Sequence, residues 1–392
     1  MNDVVTLQHP GHANLAPHDG QTPAPSEQPH PAPDGTGVRA HMPPQHGRDK
    51  IDWPPEVWHH IDAAVRHEIR RSRIAAKFLP TVHVPSKTMT VPADSIDQAA
   101  IPGSITIDEF ATTPINQVSV GFTLTPSQVE EEAALVHGTA QQHPQQHQQQ
   151  HQDQHQHQHQ HPHQHQHAST AVTLATRAAN ILSQIEDTII FQGSNAWLTP
   201  LFIAPVPIVS WRFRQADFGL LQLPAPGALQ ILPANQIITV SPVVAAGPYQ
   251  WKTVTAVAQA FSALQANGQW GPYALVLHTV PFADINAPLP TTLITPAQPI
   301  RQLMNAGVYG CGALPPPPAA AVVAPMLYTG LVVSLGGNTM DLVRGKMNGE
   351  DDVIVRFEQK DVDGNYRFTI SERFTVRLKD PTAVILLEFN NA

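Results

Sequence analysis

The chain has 392 residues, 42% of them apolar, enough for packed cores and two or three folding units. A net charge of −9 argues against nonspecific binding to nucleic-acid phosphates, so no nucleic-acid partner is expected. Only 14% of residues are charged, against about 25% in an average soluble domain, so much of the surface is expected to be covered by partners. The single cysteine, Cys311, excludes an internal disulfide and fits a reducing cytosol. The start, Met1 to Thr6, has no basic region followed by an apolar stretch, so no signal peptide is expected. The longest apolar stretch, 319–333, is cut by Pro325 and is too short for a bilayer span.

Residues 1–50 are rich in Pro, His, Gly, Gln and Asp and read as a disordered arm, because they bury too little apolar surface to offset their ordering entropy. Helix signals begin at Pro54-Pro55-Glu56. Val57, Ile61, Val65 and Ile69 recur every four residues as one apolar stripe, and Arg66, Arg70, Arg71, Arg73 and Lys77 crowd the far end, where cations suit the helix dipole. These bases read either as a solvated helix face or as a patch facing cargo or nucleic acid. The segment 51–79 is taken as this amino-terminal helix. From 80 to 124, short strand-like pieces are broken by Pro85, Pro92, Pro102 and Pro114. That density does not suit central strands and predicts a long, edge-exposed hairpin arm.

Residues 125–168 read as a linker. Its Glu130-Glu131-Glu132 run reads as a solvated helix end, and its Gln/His insert, from Gln141 to His167, holds ten of the 22 histidines. A second helix, within 169–200, carries Leu174, Ala178, Ile181, Ile185 and Ile189 and stops near Gly193. The segment 201–330 mixes proline-punctuated loops and short strands with a third helix. That helix places Val254, Val257, Ala258, Phe261 and Leu264 on one face and closes at Asn267-Gly268. A buried strand at 273–277, a short helix from Pro299 to Ala306 and a polyproline joint at 315–318 follow.

The closing segment, 331–392, is the most strongly patterned. Val353, Val355 and Phe357 alternate with polar residues, and Asp363-Gly364-Asn365 supplies a turn. From Tyr366 to Leu378 the even positions are apolar and the odd ones polar, as a two-faced strand requires. Glu372 breaks the even row and reads as a bulge or bend. Val384-Ile385-Leu386-Leu387 reads as buried on both faces. Helices and strands in this order, without regular βαβ alternation, give fold class α+β.

Five collinear segments resemble the encapsulins, bacterial shell proteins also called linocin-type bacteriocin proteins. They are Trp58, Ile61-Asp62, Arg66 and Lys77-Phe78; Phe122-Thr123-Leu124; Ile185 to Gly193; Gly271 to Leu277 with Pro299-Ile300-Arg301; and Ser371 to Thr375 with Ala383 to Phe389. The resemblance implies the tailed-phage major-capsid fold. In those terms 51–79 is a lumen-facing amino-terminal helix and 80–124 an extended arm. Residues 169–200 are the spine helix of a peripheral domain, 201–330 an axial domain, and 331–392 the peripheral strands. It further implies a self-assembling icosahedral shell, a cytoplasmic nanocompartment, that encloses cargo enzyme held by a short targeting peptide. Family cargo is of ferritin-like iron-storage or peroxidase type. The cargo groove would draw on Ile61, Val65 and Ile69, which read equally as core contacts. Some relatives bind flavin through a tryptophan on the arm; Ile105 to Phe110 has none here, which argues against flavin. Where relatives have Arg-Gly-Gly-Asp, this chain has Leu335-Gly336-Gly337-Asn338.

No catalytic motif is found, so the chain is not expected to be an enzyme and requires no cofactor. The alternating His155, His157, His159, His161, His163, His165 and His167 offer loose zinc, nickel or copper ligands. The same tract reads as a tolerated repeat, or as a pH sensor gaining roughly +8 between pH 7.5 and 5.5. Two other functions stay open: a prophage major capsid protein, and a histidine-rich metal-binding protein.

Overall fold

The computed structural model describes residues 47–97, 106–108, 111–141, 169–193, 196, 199–203, 209–212, 219–221, 236–243, 248–289, 293–314, 326–347 and 351–390. The amino-terminal arm to residue 46, the histidine tract and the polyproline joint lie outside the described residues.

A short helical turn at Arg48–Lys50 precedes the proline signal at 54. The Arg48 guanidinium donates to both carboxylate oxygens of Asp62 at 2.9 and 2.7 Å and to Val355 O, and lies 4.6 Å from the Trp58 ring centre. Helix α1 (Pro55–Ser72) buries the stripe that its spacing predicts. The strands β1 (Thr81–Val84), β2 (Thr90–Pro92), β3 (Ser95–Asp97), β4 (Thr106–Asp108) and β5 (Thr112–Pro114) are the proline-broken pieces; β2 pairs with β5 and β3 with β4. Strand β6 (Asn116–Leu124) differs from the edge-exposed reading. It has no proline in its nine residues and sits inside a sheet.

Helix α2 (Pro126–Gln141) occupies the start of the expected linker. Glu132 is buried, not solvated: its carboxylate accepts the Ala171 N–H at 2.8 Å, where α3 (Thr170–Gln192) begins. A negative charge there compensates the unpaired donors of the helix start. Helix α3 ends at Gly193, whose φ of 56° suits glycine. Short elements α4 (Pro200–Ile203), β7 (Val209–Arg212) and β8 (Ile237–Val240) precede α5 (Gln250–Ala266). Helix α5 buries Thr253, Ala256, Val257, Ala260 and Leu264, while Ala258 is exposed. Its small side chains turn the contact face away from the predicted stripe. Then come β9 (Tyr273–Leu277), α6 (Thr279–Asn286), α7 (Ala297–Leu303), β10 (Gly307–Gly310) and β11 (Met326–Ser334). The last strands are β12 (Met340–Gly345), β13 (Val353–Lys360), β14 (Tyr366–Leu378) and β15 (Val384–Asn390).

A six-stranded sheet runs β1-β12-β14-β6-β7, with β13 also on β14; a five-stranded sheet runs β10-β9-β11-β15-β8. Strand β14 organises the first. One edge pairs with β13 and then β12, and the other with β6. Its pairing with β6 is unbroken from Tyr366 to Phe374. Glu372 is therefore not a bulge; the register shift lies in β13, between Phe357 and Gln359. Phe368, Ile370 and Phe374 join the core shared with α1 and α3. The five-stranded sheet is buried on both faces, as read for β15. Val384 and Leu386 face this first core, while Ile385 and Leu387 face a second one with α5, α6 and α7.

The odd positions in the middle of β14, Ser371, Arg373 and Thr375, are also buried, and Arg377 is half-buried. Arg373 donates to the carbonyls of Ser86 and Thr88. Arg377 pairs with Asp341 at 2.6 Å and Asp94 at 2.7 Å, and donates to Pro92 O at 3.0 Å. Two arginines that look solvent-facing in sequence thus clasp the arm root onto its own chain. Arg373→Ala is expected to leave the fold intact but to release residues 85–89, read as faster cleavage there in limited proteolysis, while Arg377 still holds Pro92 and Asp94. Two charge-assisted bonds are lost, each worth about 1.5–3 kcal/mol when buried.

Candidate assembly site

Helix α1 presents two faces. Ile61, Val65 and Ile69 are 1%, 2% and 3% exposed and belong to the core. Of the two readings left open for them, cargo groove by the family resemblance or core contact, the structure favours core contact, since in an amphipathic helix the apolar face packs inward. The outward face carries His59, His60, Ala63, His67 and Arg70. Arg66 approaches Asp351 at 3.9 Å, and Arg71 pairs with Glu68 at 2.9 Å.

Behind α1 lies a buried charge cluster that the sequence reading missed. Arg73, just past the helix, pairs with Glu186 of α3 and Glu372 of β14. Arg344 of β12 pairs with Glu186 and stands 3.6 Å from Glu372. All four side chains are buried. Asp187, next along α3, accepts the N–H groups of Ile74 at 2.9 Å and Ala75 at 2.9 Å. Burial, then the neighbouring Glu186, pushes the Asp187 carboxyl up to about 7 against the pull of those donors and of Arg73. Burial also raises Glu372; Glu186 adds to this, and Arg73 and Arg344 oppose it. Arg344 keeps its charge because Glu186 and Glu372 outweigh burial. The cluster joins the end of α1, α3 and the paired strands β12 and β14 at the root of the arm. Its one sequence signal was Glu372 interrupting an apolar row.

Several large apolar side chains stay uncovered around the five-stranded sheet: Trp251, Trp270 at 65% exposure, Leu293 at 81% and Ile294. Exposed Ile107 lies on the arm strand β4.

Chemistry is sparse. Among the described residues no group of three or more His, Cys, Asp or Glu could hold a metal ion. Asp361 accepts the N–H groups of Asp363 and Asn365 and so shapes the β13–β14 turn. Burial pushes the Cys311 thiol up to about 12, which keeps it protonated and unreactive. His155, His157, His159, His161, His163, His165 and His167, and half of the stretch compared for flavin, lie outside the described residues. Among the described residues, no helix is long and apolar enough to cross a membrane.

Two sheets, a long helix behind the first and an arm rooted at β1 define a class: the tailed-phage major-capsid fold. A virus-like particle from Pyrococcus furiosus is similar over 85% of this chain and 100% of its own, with a TM-score of 0.51 and 14% identity. The holo-SrpI encapsulin complex from Synechococcus elongatus PCC 7942 matches over 80% and 86%, with a TM-score of 0.42 and 9% identity. No curated protein matches the sequence. Within the fold, the family model described as "Encapsulating protein for peroxidase" matches residues 240–375, from the end of β8 into β14. The encapsulin resemblance read from the sequence is borne out by this match.

Proposed function

We propose that this chain is the shell subunit of an encapsulin nanocompartment. The observation that carries the reading is the encapsulating-protein family match over 240–375 within a capsid fold. A shell closes because one subunit repeats several different contacts by symmetry. The uncovered tryptophans and the arm strands supply surfaces of that kind. The enclosed partner is a cargo enzyme of ferritin-like or peroxidase type, brought in by a short targeting peptide, and the site of action is the cytoplasm. The chain contributes enclosure, not catalysis. With Ile61, Val65 and Ile69 in the core, a cargo peptide on α1 would meet the His59, His60 and His67 face.

Negative-stain microscopy of the purified full chain tests this. Closed hollow particles are expected, free of nuclease-protected DNA; dispersed single chains at all protein concentrations would refute it. Protected DNA inside the particles would instead support a phage capsid. A chain lacking residues 142–167 is expected to form the same particles, because the histidine tract is proposed as a loose metal-binding insert and not as part of the shell contacts. Loss of the particles would overturn that assignment.

A further inference from the structure

The charge cluster behind α1 is unbalanced. Two carboxyl groups, Glu186 and Glu372, pair with two guanidinium groups, Arg73 and Arg344, and a third, Asp187, lies next along α3 with only backbone N–H groups as hydrogen-bond partners and Arg73 acting on it electrostatically; all five residues are buried. The next titratable groups out are Asp352, which acts on Arg344 and lies 3.0 Å from His83 of β1, and the Cys311 thiol beside Asp187, which burial keeps protonated. Full ionisation would leave one uncompensated negative charge in the core, which is costly. The pairing is also incomplete: Glu372 Oε1 and Arg344 Nη1 are buried without a hydrogen-bond partner, while Glu186 Oε2 faces the Nε of Arg73. A single proton on one carboxyl balances the charges. Glu186 and Glu372 share both Arg73 and Arg344, so the two carboxyls stand around the same pair of guanidinium groups.

We propose that this cluster holds one proton and acts as a pH-operated latch, tying the end of α1 and the root of the arm to α3 and β14. With the proton in place, Arg73 is held by Glu186 and Glu372 while Asp187 fixes the turn at Ile74 and Ala75. Loss of the proton sets like charges against each other at this joint, and the arm root loosens. A cavity of about 450 Å³ lined by Asp187, Ser72, Gln184 and Cys311 gives the proton a way out.

The direction follows from linkage. Carboxyls that titrate higher in the folded than in the unfolded chain favour folding most at low pH. Their contribution declines as pH rises above the unfolded values, near 4, and is gone above the folded ones, about 7 for Asp187. Within that window the folding equilibrium constant attributable to one retained proton falls about tenfold per pH unit. The coupled carboxyls titrate as a group, so the proton belongs to the cluster.

The test uses the full chain. Infrared spectroscopy of the wild type is expected to show a protonated buried carboxyl at pH 6 that disappears on raising the pH to 9. Glu372→Gln, which balances two acids against two arginines, is expected to remove that band. It should also flatten the pH dependence of the urea-unfolding midpoint relative to wild type; Asp187→Asn serves as the second variant. Equal pH slopes in wild type and variants would overturn the latch. If neither variant folds, the wild-type spectrum decides alone: no band at pH 6, or a band unchanged at pH 9, overturns it. These readouts concern the single chain, so they hold or fail independently of particle formation.

Discussion

Replacing Arg344 with alanine is expected to cost about 3–5 kcal/mol, the penalty for removing one partner from a buried charged network. Whole domains are stable by only about 5–15 kcal/mol, so the variant should be largely insoluble or unfold at much lower urea. The loss is not the worth of one salt bridge. Glu186 and Glu372 would remain buried with only Arg73 between them. The cost therefore comes from desolvated charge left without compensation, and removing a second charge should recover part of it. Arg344→Met combined with Glu372→Leu leaves Arg73 paired with Glu186 and fills the space with apolar groups. This double variant is expected to unfold at higher urea than Arg344→Ala. If it does not, side-chain volume rather than charge balance governs the site.

Phe368→Ala should be comparably damaging, at about 3–5 kcal/mol, for an unrelated reason. Phe368 is the middle of an aromatic stack. The Trp53 ring lies 5.5 Å away at an interplanar angle of 8°, and Phe122 lies 5.1 Å away at 10°. Phe357 meets the ring edge-on at 5.7 Å, and Trp58 is at 6.2 Å. These contacts attach the segment before α1 to the sheet, together with the Trp53 indole N–H donated to Val129 O at 2.9 Å. Alanine leaves a cavity between flat faces that cannot collapse around a methyl group. Solvent should reach Trp53 and Trp58, so a red-shifted tryptophan emission in the native state is the companion readout. Phe368→Leu keeps most of the volume and should cost less than half as much.

What sequence alone determined here is set by period. The four-residue recurrence in α1 and the alternation in β14 each assign residues to faces, because helix and strand geometry repeat locally. The turn at Asp363-Gly364-Asn365 and the stop at Gly193 were legible for the same reason: backbone conformation is decided within a few residues. The capsid-type order of elements was legible only as a collinear resemblance.

Tertiary structure decided what the polar residues do. Glu132, Arg373 and Glu372 look solvated, solvated and irregular in sequence; in the fold they cap a helix, clasp an arm and complete a buried cluster. Arg73 and Glu372 meet across 299 positions, and no local pattern carries such a pairing. A polar side chain enters a core only when a partner arrives to offset its desolvation, and the partner is chosen by chain topology. The same reason decided between groove and interior for Ile61, Val65 and Ile69. Periodicity shows that a face is apolar, while only packing shows whether α3 or a guest molecule covers it.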